Sequence, residues 1–240
     1  MKKIFVTLVF AAGLLNTTIA QDKKKETIQG NGKLATRDVT VTTFDAMNVS
    51  GIFELKISQG AVESVKLEGD EDLLAYISVR NDGSKLIVDM DKLKDKNANF
   101  KIKNKLKVYV TFNKLKEIEL NMVGNVHSTE ELSFNDLNIN NQGVGNLDFK
   151  LSANSFNLNN KGVGNVTISG KAQQASITNT GVGSMNAGNF SVQTMNIQNT
   201  GIGSAEINAE KEVKVKSTGL GNITNRGAAP MPRKNRTIVI

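Results

Sequence analysis

The sequence predicts an all-β protein, a parallel β-helix with coils of about 19 residues, and three observations carry that prediction. The figure Gly143-Val144-Gly145-Asn146 returns at 162–165, 181–184, 201–204 and 219–222. An alternating stretch leads into each return: Leu137-x-Ile139-x-Asn141, Phe156-x-Leu158-x-Asn160, Ala175-x-Ile177-x-Asn179, Met195-x-Ile197-x-Asn199 and Val213-x-Val215-x-Ser217. A second apolar pair follows the turn, at Leu147/Phe149, Val166/Ile168, Met185/Ala187 and Ala205/Ile207, then Ile223 alone.

Alternate side chains of a strand face opposite ways, so the apolar set and the Asn or Ser that ends it share one side. That side must be the interior. The recurring Asn141, Asn160, Asn179, Asn199 and Ser217 are therefore expected to form an inward column, hydrogen-bonded along the stack and to turn backbone. The paired glycines are expected to supply turn dihedrals closed to other residues.

Taken in order, the chain opens with Lys2-Lys3, an apolar run from Ile4 to Leu15, and Thr18-Ile19-Ala20 before the polar Gln21-Asp22-Lys23-Lys24-Lys25. This is the pattern of a secretory signal peptide over 1–20, too short in its apolar part for the ~20 residues of a spanning helix. It implies export to the periplasm or the outer cell surface. The chain has no cysteine, which removes disulfide frameworks, thiolate zinc sites and a lipidated cysteine at the cleavage point. Residues 21–38 are polar and without period, the composition of a flexible leader.

Regular alternation starts at 39, so the β-helix domain is expected over 39–226, with clean repeats over 137–226. Residues 44–60 read as two strands bent at Ser50-Gly51, Ser64 to Leu67 as another, and Asp70-Glu71-Asp72 as acids opening a short helical turn. Asp82-Gly83 signals a hairpin. Residues 101–110 alternate strictly, with Lys101, Lys103, Lys105 and Lys107 on one face, a cationic docking strip or a solvated face that blocks edge pairing. Residues 118–126 match the later figure, with Met122 at the first glycine's place, and read as the entering coil. The tail, 227–240, holds both prolines and ends the repeat, as cap or as attachment handle.

Of 30 basic residues, 28 remain without Lys2 and Lys3, against 23 acidic, leaving a net charge of +5. Lysines 92, 94, 96, 101, 103, 105 and 107 concentrate the surplus, whereas 117–136 is acidic apart from His127. Nucleic acid is a poor partner for an exported chain whose basic cluster is lysine without arginine and interleaved aromatics; anionic polysaccharide or lipid headgroups fit better.

No residue set satisfies a catalytic, cofactor or metal motif. The glycine turns lack the third glycine and following helix of a phosphate loop, and Asn or Ser stands where a calcium nonapeptide needs Asp. His127 is the sole histidine, so no His-pair metal site can form. Asp148 and Glu206 share the outward position after the turn but lie three coils apart, roughly 14 Å, too far for paired-carboxylate chemistry. The outward set Asn138, Asn140, Asn157, Asn159, Ser176, Thr178, Asn196, Gln198, Lys214 and Lys216 is a regular polar face, suited to glycan or protein, or simply a wet exterior.

These features resemble the head GIN domain family of putative auto-transporter adhesins. The resemblance runs from Phe44 to Asn225 through Phe44-x-x-Met47-x-Val49-x-Gly51-x-Phe53-x-Leu55-x-Ile57-x-x-Gly60, Leu67-x-Gly69-Asp70-x-x-Leu73-Leu74, Asp82-Gly83-x-x-Leu86-x-Val88 and the Gly-Val-Gly-Asn series. It implies a right-handed β-helix similar to pectin-lyase folds without their catalytic residues, and adhesion at the Gram-negative envelope. The sequence shows no membrane barrel of an auto-transporter. The leading expectation is a non-enzymatic binding module; a polysaccharide-acting enzyme and a periplasmic structural or assembly partner are the alternatives.

Overall fold

The computed structural model describes residues 26–91 and 98–232. The signal peptide, residues 21–25 of the leader, Lys92, Lys94, Lys96 and residues 233–240 lie outside the described residues.

The leader is not unstructured where it is described. It forms β1 (Glu26–Gln29) and β2 (Leu34–Val39). β2 runs antiparallel to a later strand, Leu34 opposite Asp70 and Val39 opposite Val65, and Lys33 Nζ sits 2.9 Å from Glu71 Oε1. Partners distant in sequence order it, which its own composition does not reveal.

β3 (Ala46–Ile52) and β4 (Glu54–Gln59) follow, turning at Gly51 with φ of 138°. Next come β5 (Ser64–Asp70), a 3-10 turn (Leu73–Tyr76) and the hairpin β6 (Ser78–Asp82) and β7 (Lys85–Asp89) on Gly83, whose φ is 57°. Asp70 belongs to the end of β5, not to a helix start. It is fully buried, and its carboxylate accepts from the backbone N–H groups of Lys103 at 2.9 Å and Asn104 at 3.2 Å and from Asn104 Nδ2 at 2.7 Å. Burial raises its pKa, but these donors outweigh burial and hold it below the ordinary aspartate value. The same contacts split the expected strand over 101–110 into β8 (Ala98–Lys101) and β9 (Lys107–Phe112), because the chain between them turns in to reach Asp70.

β10 (Glu117–Val123) and β11 (Val126–Ser128) make a coil, but it is not the entering one. β3 pairs in parallel with β10, and β4 with β11, so residues 46–59 form the preceding coil. β7 and β9 stack in parallel beyond β3 and β4, and β6, β5 and β2 close that end antiparallel. Residues 60–116 are thus an insertion folded into an end cap.

The regular stack follows: β12 (Leu132–Asn141), β13 (Leu147–Asn160), β14 (Val166–Asn179), β15 (Met185–Asn199), β16 (Ala205–Ser217) and β17 (Ile223–Asn225), all parallel to their neighbours. This is the β-solenoid the repeats predict. β12, β13 and β14 each have two inward runs of opposite parity; in β13 the buried residues are Leu147, Phe149, Leu151 and Ala153, then Phe156, Leu158 and Asn160. The parity change at Asn154-Ser155 makes a corner opposite the glycine turn. β15 has 15 residues against 14 in β14, and the extra one is absorbed near Ala187-Gly188, where the register jumps.

Neither glycine of a turn leaves room for a Cβ, and the second needs a special dihedral as well. The second has positive φ, 140° at Gly145 and 139° at Gly164. The first has no positive φ, and is required because a Cβ on Gly181 would stand 2.2 Å from the carbonyl oxygen of Gly162 in the coil below.

The expected asparagine column forms. Asn141 Nδ2 donates to Asn160 Oδ1 at 2.7 Å, Asn160 to Asn179 at 2.7 Å and Asn179 to Asn199 at 2.8 Å, all buried. Ser217 holds the next register position but is exposed, and Asn199 Nδ2 turns instead to the Gly203 carbonyl. In the tail, Asn225 Nδ2 donates to the carbonyls of Ala209, Gly227 and Ala229, folding residues 227–229 over the last coil.

Candidate binding surface

Parity decides what the stacked strands show to solvent. The outward positions form two columns, Asn138–Asn157–Ser176–Asn196–Lys214 and Asn140–Asn159–Thr178–Gln198–Lys216, in direct register. Asn157 Nδ2 donates to Asn138 Oδ1 at 2.9 Å and Asn159 Nδ2 to Asn140 Oδ1 at 3.5 Å, so these amides are pre-oriented. Glu117 and Glu119 stand in the same columns one coil earlier, so the face grades from acidic through uncharged to basic. A shallow trough of about 350 Å³ lies along the columns between Glu117 and Thr178.

At the corner opposite the glycine turns the surface deepens into a groove of about 540 Å³. Its walls come from the loop at 113–116 and the bend of β12 at 133–136, which only the end cap brings together. Gln59 ties them: its Nε2 donates to the carbonyls of Asn113 at 3.2 Å and Ser133 at 3.1 Å, and its Oε1 accepts from Ser133 N–H at 2.8 Å. The floor is apolar, from Leu115 and Phe134, with Phe134 stacked on Phe112 at 5.6 Å between ring centres. Amides and charges rim it: Asn135, Asp136, Asn138, Lys114, Lys116 and Asp45. Asn138 also lines the trough, and Ser133 and Phe134 also line a further hollow of about 380 Å³ that reaches Lys171 and Gln193, so the groove shares walls with both neighbouring depressions.

Lys116 Nζ lies 2.7 Å from Asp45 Oδ2. The Lys116 hydrogen bond lowers the Asp45 pKa, and the Asp45 carboxylate raises that of Lys116. Both members stay charged across the neutral range, which suits a fixed rim and not proton transfer.

Other residues singled out from sequence do not gather. His127 Nε2 is 3.3 Å from Glu54 Oε1. Asp148 and Glu206 do share one outward column, with Thr167 and Asn186 between them, and Glu206 pairs with Arg226 at 2.9 Å. Of the lysine strip, Lys107 pairs with Glu68 at 2.7 Å while Lys103 Nζ reaches the Asn31 carbonyl, so the described part is not one docking face. β9 is flanked by β4 and β5 and is no edge for lysines to protect. Among the described residues no three His, Cys, Asp or Glu side chains are grouped to hold a metal ion. Gln59, Lys114, Lys116 and Phe134 escaped sequence reasoning because they lie outside the repeat and meet only through the cap.

The profile of the family described as putative auto-transporter adhesin, head GIN domain, matches residues 43–229. The chain belongs to this family. A solved structure of a putative adhesin from Bacteroides fragilis shares 27% sequence identity with this GIN domain protein, with a TM-score of 0.76 over 82% of this chain and 99% of that one. Two structures from Parabacteroides share the fold: a putative adhesin from P. merdae (21% identity, TM-score 0.52, 85% and 98% covered) and a putative lipid binding protein from P. distasonis (17%, 0.59, 85% and 98%). No curated protein matches the chain. Among the described residues no helix is long and apolar enough to cross a membrane.

Proposed function

We propose that this GIN domain protein is an exported, non-enzymatic adhesin that holds polysaccharide at the cell envelope, with the corner groove as its principal subsite. The observation that carries the reading is the groove itself: an apolar floor of Leu115 and Phe134 under a rim of amides and charges, opening onto the amide columns. A sugar ring presents a C–H face that packs on such a floor, and hydroxyls that pair with planar amides and carboxylates. A volume of about 540 Å³ accommodates one or two sugar residues, and the adjoining depressions let a longer chain continue. Export rests on the signal pattern over 1–20 and on the kinship with adhesins.

The test is a glycan array followed by calorimetry on the mature chain. Lys114→Glu with Asn135→Ala is expected to weaken binding at least ~10-fold, the effect of losing about 1.4 kcal/mol, without altering the circular dichroism. No array ligand, or equal affinity in the variant, sinks the proposal. A second reading, a polysaccharide-acting enzyme, is favoured by the convergence of Asp45, Asp136, Lys114 and Lys116. Shortening of an acidic polysaccharide by purified protein would establish it and displace the first. Cell fractionation separates a surface adhesin from a periplasmic assembly partner.

A further inference from the structure

The middle residue of every glycine turn points outward and is aliphatic. Val123, Val144, Val163, Val182, Ile202 and Leu220 bridge one another in a parallel column, with Ile52 in register beneath Val123. All seven are exposed, from 39% at Ile52 through 49% at Val163 to 71% at Leu220. The turn requires its glycines, but nothing in the turn requires an apolar side chain between them: the backbone N–H of Val163 donates to Gly143 and its carbonyl accepts from Gly145 whatever the side chain is. The position is nonetheless aliphatic in each coil, while the next residue outward on either side is polar, as in Gln142, Thr180, Asn146 and Asn165. The result is an aliphatic ridge roughly 29 Å long at the parallel-strand spacing. It lies on the corner opposite the groove and does not depend on the glycan reading.

We infer that this ridge is the contact between two copies of the chain, packed antiparallel about a two-fold axis near Val163. Three features select a second copy. First, a ridge of evenly spaced knobs matches only a surface with the same spacing, and a second solenoid supplies it. Second, the two ends are complementary: Leu220, the most exposed of the ridge residues, stands at one end, and a hollow of about 270 Å³ lined by Ile52, Ile102, Leu106 and Val123 stands at the other. Antiparallel pairing places each Leu220 over the partner's hollow, as an isologous interface demands. Third, in a mature chain of net charge +5 the rows beside the ridge are amides and hydroxyls apart from Lys161 and, at the hollow, the oppositely charged Glu54 and Lys105, so like-charged copies approach with little repulsion here.

The areas agree. Seven half-exposed aliphatic side chains offer roughly 500 Å² of apolar surface per copy, and with the flanking amide and hydroxyl rows the contact nears the ~800 Å² per partner of a stable complex. An apolar centre with an uncharged polar rim is also the usual anatomy of such interfaces.

The test uses the mature chain. Sedimentation velocity is expected to show a dimer at about 100 µM, a concentration ample for a contact of this size. Val144→Lys with Val182→Lys should return it to monomer with unchanged circular dichroism and melting. Because the chain lacks cysteine, Val163→Cys gives an independent check: it should form a disulfide-linked dimer under mild oxidation, whereas Leu220→Cys, remote from its counterpart in the antiparallel pair, should not. A monomeric wild type, a dimer indifferent to the two lysines, or cross-linking at both cysteine positions or at neither overturns the inference. So does a monomer that floats with phosphatidylethanolamine–phosphatidylglycerol vesicles through the ridge, which would make it a lipid-facing surface.

Discussion

Replacing Asn179 by alanine tests whether the buried amide column holds the coils together. Asn179 is 2% exposed; its Oδ1 accepts from Asn160 at 2.7 Å and its Nδ2 donates to Asn199 at 2.8 Å. Alanine strands one donor and one acceptor where water does not reach. Each orphan costs about 1–3 kcal/mol, so the expected loss is roughly 2–6 kcal/mol. For a domain of this size 1 kcal/mol lowers Tm by about 2–4 °C, which places the variant roughly 4–24 °C below wild type. Asn196→Ala, on the outer side of the neighbouring strand β15, should stay within about 0.5 kcal/mol. The assay is thermal and urea unfolding by circular dichroism with the m-value checked, since a stack of repeats can shed coils separately. Equal melting of the two variants would refute the argument.

Gly164→Ala should lower Tm far more than Gly83→Ala. Both have positive φ, but a Cβ at 164 meets the Gly145 carbonyl oxygen at 2.1 Å whereas at 83 it meets nothing, so only the ~1 kcal/mol backbone penalty applies there. Ile177→Asp places an unpaired charge in a coil interior and is expected to abolish cooperative unfolding; unchanged melting would refute its inward position. The lowered pKa of Asp70 stabilises the fold fully above the unfolded aspartate value of about 3.9, and that stability is lost as pH falls through the folded value. Hydrogen exchange should therefore show the Lys103 and Asn104 amides losing protection below about pH 4 while the Val163 amide keeps it, with Asp70→Asn abolishing the difference.

Along the regular coils the sequence by itself determined the fold, because identical physical demands recur there: an apolar pair inside, an amide to satisfy its neighbour, and a corner where no Cβ fits. Asn160 and Gly164 are legible for that reason, each answering to a copy of itself about one coil away. The coil at 46–59 is separated from its partner at 117–128 by an insertion, so no local period announces the pairing. The second glycine's dihedral and the first glycine's collision look alike as letters, and Asp70 looks like a helix-start acid until the donors from Lys103 and Asn104 surround it. Tertiary structure alone decided the corner groove, since Gln59, Lys114 and Phe134 come from separate stretches with no shared period. It alone exposed the aliphatic ridge as well: a valine between two glycines carries no mark of which way it faces until the backbone ladder around it is closed.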